Sequence, residues 1–249
     1  MLVTPRVLRA QEPFGFEFRV NTYTTGTQRF GSIAGSMNYL FVVTWESAGQ
    51  DGSQYGIFGQ RYSSDGVPLG TEFRVNTYAT GNQRSPAVGG ITSQFTIVWQ
   101  SDGQDGSGEG IFGQRYTPAG FPAGPEFRVN TYTSSNQSAP ELSSSGFAPV
   151  NLVVLWQSDL QDGSATGIYS QKYFSGFPDG PELRVIVTTQ RPQTGPGMAF
   201  GGWPRWISLD ERPGPRRVPR RLLGSVVRPS GRAANLHGAV AGRAGAETC

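Results

Sequence analysis

The chain is poor in the residues most often used for chemistry. It has one cysteine, Cys249, so neither a disulfide framework nor a cysteine metal site can be assembled. Its single histidine, His237, removes most histidine-based acid–base catalysis and histidine zinc sites. No run of about 18 apolar residues is present, so nothing in the sequence spans a membrane as a helix. The opening MLVTPRVLRAQ lacks the apolar core of a secretory signal and starts close to a repeat boundary, as a piece of a longer protein would. Helix formers are scarce. In their place stand 35 glycines with many Thr, Ser and aromatic residues, a composition that favours short strands and turns. Charge is split unevenly: residues 1–190 hold 11 basic against 15 acidic side chains, and residues 191–249 hold 10 arginines against 3 acids. The basic character therefore belongs to the tail.

What the chain does have is repetition. WESAGQDGSQYGIFGQRY from Trp45 returns as WQSDGQDGSGEGIFGQRY from Trp99 and as WQSDLQDGSATGIYSQKY from Trp156, at spacings of 54 and 57. EFRVNTY begins at Glu17, Glu72 and Glu126, and a worn ELRV begins at Glu182, at spacings of 55, 54 and 56. A period in this range marks a repeat architecture.

Each period contains four alternating segments separated by Gly, Asp, Ser and Asn. In the second copy these are PAVGG, FTIVWQ, GIFGQRY and EFRVN. Four antiparallel strands in a period of roughly 40 to 55 residues make one β-propeller blade. The expected fold is all-β, an incomplete ring of about three blades with partial ends. Strands A to D run from the axis outward. The D-to-A loops (NTYTTGTQ, NTYATGNQ, NTYTSSNQ) and B-to-C loops (GQDGS, GQDGS, LQDGS) agree best and fall on one face. The A-to-B and C-to-D loops, on the other face, vary most.

These phrases, FRVNTYTTGxQ with FVVTWxSxGQDGSxxGIFGQRY and a glycine-rich turn, resemble a repeat of large bacterial extracellular proteins that often carry haemolysin-type calcium-binding or adhesin-like segments. The resemblance covers about Phe16 to Val185. It implies a secreted or surface-exposed propeller-like array and brings no defined activity with it. Two departures stand out: the fourth EFRVNTY is decayed, and the pattern ends after about Phe200.

Trp45, Trp99 and Trp156 are expected to fill blade interfaces, because a tryptophan buries a large area. Gln60, Gln114 and Gln171 share the inward phase and need hydrogen-bond partners. The QDGS loops leave three readings open. One is an Asx-turn, with Asp accepting backbone N–H groups and Gly at positive φ. A second is calcium, held by Asp102, Asp105 and Glu109 with neighbouring oxygens. The third is a glycan or other surface ligand at Gln50, Asp51, Gln104, Asp105, Gln161 and Asp162, extended by Asn76, Tyr78, Asn130 and Tyr132 of the D-to-A loops. No sialidase-type Asp-box is present, since the tryptophan precedes the turn. No carboxylate pair for glycoside hydrolysis is singled out.

The expected division is a fragment 1–15, a repeat domain 16–202 and an Arg/Pro/Gly-rich tail 203–249. The tail lacks the aromatics of a nucleic-acid tether, so no nucleic-acid partner is expected. It reads instead as unstructured or out of frame: shifted by one nucleotide, Leu209 to Val218 can encode W-T-S-D-Q-D-x-G-V-F. The functional expectation is a non-catalytic binding or adhesion module, not an enzyme, without a certain cofactor. A calcium-stiffened structural spacer and a degraded propeller hydrolase are the alternatives. Open blade edges are expected to self-associate.

Overall fold

A computed structural model of the chain describes residues 17–35, 40–90, 93–144, 151–163, 165–185, 194–199, 205–210, 225–227 and 233–235. Every regular element among them is a strand, and no helix among them is long and apolar enough to cross a membrane. The first sheet contains β1 (Gln28–Gly35), β2 (Leu40–Ala48), β3 (Tyr55–Ser63) and β4 (Phe73–Arg74). The second contains β5 (Gln83–Gly89), β6 (Phe95–Asp102), β7 (Glu109–Tyr116) and β8 (Phe127–Arg128). The third contains β9 (Gln137–Ser144), β10 (Asn151–Asp159), β11 (Thr166–Phe174), β12 (Phe177–Pro178) and β13 (Leu183–Arg184). The fourth contains β14 (Thr194–Ala199), β15 (Arg205–Asp210), β16 (Ser225–Val227) and β17 (Ala233–Asn235). Pairing is antiparallel and follows chain order in each, except that β13 pairs with β11 beside β12 in the third. The edge strands β1, β5, β9 and β14 lie against one another in sequence, forming the inner ring expected of propeller blades.

Two expectations are revised. In the stretch 203–249, expected to be unstructured or out of frame, β15 pairs with β14, β16 with β15 and β17 with β16, and the remainder of that stretch lies outside the described residues. The fragment 1–15 also lies outside them. The D strands are shorter than the EFRVN phrase: β4 and β8 contain two residues each. Val75 N still donates to Ile57 O at 2.8 Å, but Ile57 N then donates to Asn76 Oδ1 at 2.7 Å. The asparagine side chain thus takes the place of the next strand residue, the competition that Asn offers to any ladder.

The core is built between sheets. Val42, Ile57 and Val75 of the first meet Val88, Ile97, Trp99 and Phe112 of the second. Ala87, Val98, Ile111 and Val129 of the second meet Leu152, Val154, Trp156 and Tyr169 of the third. Trp99 and Trp156 are wholly buried in these layers. Period-2 alternation explains the arrangement: in the second sheet one face meets the first blade and the other the third.

The inner strands share a bulge. Phe30, Ser85 and Ala139 have φ of 52°, 51° and 50°, and the ladder shifts register beside each. Ser85 N donates to Glu46 Oε1 at 2.6 Å and Ala139 N to Gln100 Oε1 at 3.0 Å, so each blade secures the bulge of the next. Such a bulge re-aims the residues that follow it.

Candidate active site and the repeated polar loops

The agreeing loops fold into a relay that crosses from blade to blade. Glu72 Oε2 accepts from Thr22 N and Thr22 Oγ1, both at 2.8 Å, while its Oε1 accepts from Gln50 Nε2. Glu126 receives Thr77 and Gln104 in the same way, and Glu182 receives Thr131 and Gln161. Asp51 Oδ1 accepts from Ser53 N at 3.1 Å and Asp105 Oδ1 from Ser107 N at 3.3 Å, with Gly52 and Gly106 at φ of 87° and 97°. These are Asx-turns. The other oxygen of each aspartate faces Asn76 Nδ2 or Asn130 Nδ2. Asn76 and Asn130 also donate to Tyr78 O and Tyr132 O, and to Gln83 Oε1 and Gln137 Oε1. Asp162 lies 3.3 Å from Arg184. Of the ten residues expected to bind a ligand, Tyr78 and Tyr132 enter this relay only through backbone oxygens. The other eight enter it through side chains.

Asp102, Asp105 and Glu109 do not converge. Asp102 and Glu109 face each other across β6 and β7, and Glu109 Oε1 accepts from Gln100 Nε2 at 3.0 Å. The Asp105 carboxylate is turned to Ser107 and Asn130 instead. Among the described residues no group of three or more His, Cys, Asp or Glu is placed to hold a metal ion. Burial raises the Glu109 carboxyl above its ordinary range, and the nearby Arg84 opposes that rise.

The inner ring carries a residue that sequence reading did not single out. Glu141 follows the Ala139 bulge on β9 and is half-buried. Its neighbour Leu142 packs with the interface to the second sheet, so alternation turns Glu141 to the opposite side, where β14 adjoins β9. Desolvation raises its carboxyl above the ordinary carboxylate range. Glu141 is the only acidic residue on the four inner strands β1, β5, β9 and β14. At the matching position in register, β1 has Ser32 and β5 has Ala87. That one acid among uncharged counterparts is a signal present in the sequence and visible once the repeats are aligned by strand.

No family model matches the chain, and no curated protein does. Solved structures do. A thermostable family-43 glycoside hydrolase superposes with a TM-score of 0.52 at 12% identity, covering 89% of this chain and 76% of that one. An α-L-arabinofuranosidase from Lactobacillus brevis gives 0.51 at 9%, covering 84% and 72%. An exo-1,5-α-L-arabinanase from a bovine ruminal metagenomic library gives 0.50 at 10%, covering 85% and 78%. At such identities the likeness is one of fold, and it places the chain's blades among all-β propeller architectures. It also corrects the functional expectation. These three structures are all glycan hydrolases, so the expectation of a non-catalytic adhesion module or spacer finds no support among them.

Proposed function

We propose that the chain is a carbohydrate-acting propeller domain of the glycoside hydrolase type, with Glu141 as its proton donor. Fold alone does not assign an activity, so the reading rests on the site. The observation that carries it is the position of Glu141: a half-buried carboxyl on the inner ring, the lone acid of those four strands, held above the ordinary carboxylate range by desolvation. A group that must protonate a leaving glycosidic oxygen near neutral pH has to keep its proton there, and burial is how a carboxyl does so. The bulge at Ala139, bonded by Gln100 from the preceding blade, fixes the backbone two residues before it. The structurally similar galactanase and arabinanase support the substrate class, with arabinan and galactan as first choices.

Hydrolysis of this kind employs a second carboxylate. The described inner strands carry none, and a scan replacing each remaining acid by its amide identifies it. The test is release of reducing sugar from arabinan, galactan and a set of aryl glycosides. The native chain is expected to hydrolyse at least one of them, Glu141→Gln to lose that turnover, and Asp65→Asn, in an exposed turn, to keep it. Unchanged turnover in Glu141→Gln, or no product from the native chain across the panel, overturns the proposal.

A further inference from the structure

Two cavities away from the inner ring repeat one another. The first, about 550 Å³, opens between β4 and the turn after β7, with Arg74, Tyr116, Pro122 and Glu126 in its walls. The second, about 460 Å³, opens between β8 and the turn after β11, with Arg128, Tyr173, Pro178 and Glu182 at the same positions of the repeat. Both lie within the roughly 300–1,000 Å³ typical of small-molecule sites. Each is the groove between the outer strand of one blade and the C-to-D turn of the next. The axial reaction proposed above uses neither.

Their chemistry is mixed in a particular way. Arg74 and Arg128 are exposed, and among the described residues no ion pair holds either guanidinium. Glu126 and Glu182 are fixed acceptors, each carboxylate oriented by the Thr N–H, Thr hydroxyl and Gln amide of the blade relay. In the second groove Gln104 Oε1 is a buried acceptor that no protein group meets. Proline rings and the tyrosine supply apolar wall. Because every guanidinium shares its groove with a carboxylate, an anionic ligand gains little net attraction. A neutral polyhydroxylated one uses both partners, donating to the carboxylate and accepting from the guanidinium fork.

We propose that these two grooves are equivalent sites for neutral saccharide units, one at the junction of the first and second blades and one at that of the second and third, which hold a polysaccharide on the rim of the domain while the inner ring acts on it. The choice of saccharide rests on the hydrolase reading; the pairing of the sites does not. Gln104, Asp105, Asn130 and Asn76, expected from sequence to meet a ligand, line these grooves as well as serving the relay.

The test uses the full chain carrying Glu141→Gln, titrated with arabinopentaose and galactopentaose by calorimetry and by NMR. Two equivalent weak sites are expected, with dissociation constants on the order of 1 mM. Arg128→Ala should leave one site at its original affinity. Arg74→Ala with Arg128→Ala should weaken rim binding about tenfold, the scale of one charged hydrogen bond. Melting temperature should not move, since both arginines are exposed. A single site indifferent to both arginines, or no binding of either sugar, overturns the proposal. Hydrolysis by the native chain without rim binding sinks this inference alone, and rim binding without hydrolysis sinks the catalytic reading alone.

Discussion

Glu141 makes its own stability prediction. Burial raises its folded carboxyl above the unfolded value, so its favourable contribution is complete below the ordinary carboxylate range and is lost as pH rises through the folded value. At neutral pH, above the unfolded carboxylate value, the buried carboxyl therefore lowers stability. Glu141→Gln is therefore expected to melt higher than the native chain at pH 7, and the gain should shrink to nothing by about pH 3, below the unfolded carboxylate range. A thermal series across pH checks it, and equal melting temperatures at pH 7 would contradict it. Truncating Glu126 has the opposite sign. Its removal in Glu126→Ala strands Thr77 N, Thr77 Oγ1 and Gln104 Nε2, and about 1–2 kcal/mol should be lost in urea unfolding. Residue-level reading from sequence reached the inward phase of Gln60, Gln114 and Gln171, which are buried. It did not find their partners: Gln60 Nε2 donates to Gly70 O at 3.2 Å and Gln114 Nε2 to Gly124 O at 2.8 Å. Those acceptors are backbone oxygens in variable turns, which leave no trace in side-chain pattern.

Strands and turns locked to neighbouring blades make the element scale informative. Arg61 reaches across to donate to Pro118 O at 2.8 Å, and burial lowers its guanidinium below the usual value. Gly120, in that turn, has φ of 88°, and a Cβ there would stand 2.6 Å from Arg61 Nε. Gly103 has φ of 70° with open space around it. Gly120→Ala is thus expected to cost about 1–3 kcal/mol more than nothing and measurably more than Gly103→Ala, the difference reporting the displaced arginine. Equal losses in denaturant unfolding would refute that. The period of two in YLFVVTWE and GIFGQRY made β2 and β3 legible, because Val42 and Ile57 pack against the second sheet. The D strand was overread as EFRVN, since Asn76 leaves the ladder to cap it.

The fourth sheet has a different lesson. Pairing of Pro196 with Leu209 puts Leu209 at the place Trp156 holds in β10. Leu209 is also the residue at which codons shifted by one nucleotide can encode tryptophan. The nucleotide sequence is expected to carry that shift, and a continuous reading frame without the repeat in any other frame would exclude it.

For the molecule as a whole, four sheets leave the first with an unmatched inner strand. Ile33 of β1 is 66% exposed, whereas Val88, its counterpart on β5, is 6% exposed. Phe30 is exposed at the same edge. An apolar blade face without its neighbour invites association. The chain is expected to self-associate in light scattering as concentration rises, and Ile33→Lys to suppress this; a concentration-independent monomer would contradict it. Repeat arithmetic made the propeller readable because the same interface recurs. The proposed acid was not readable as one, because it occurs once, in one blade, where the matching positions of the other inner strands are serine, alanine and glycine. Averaging over repeats hides such a residue.

The most direct test of the account is the pH profile of kcat/KM on whichever glycan the native chain hydrolyses. The account predicts an alkaline limb set by Glu141, lying above the ordinary carboxylate value of about 4.3, with turnover lost in Glu141→Gln. Turnover that persists in Glu141→Gln with the same alkaline limb would contradict it.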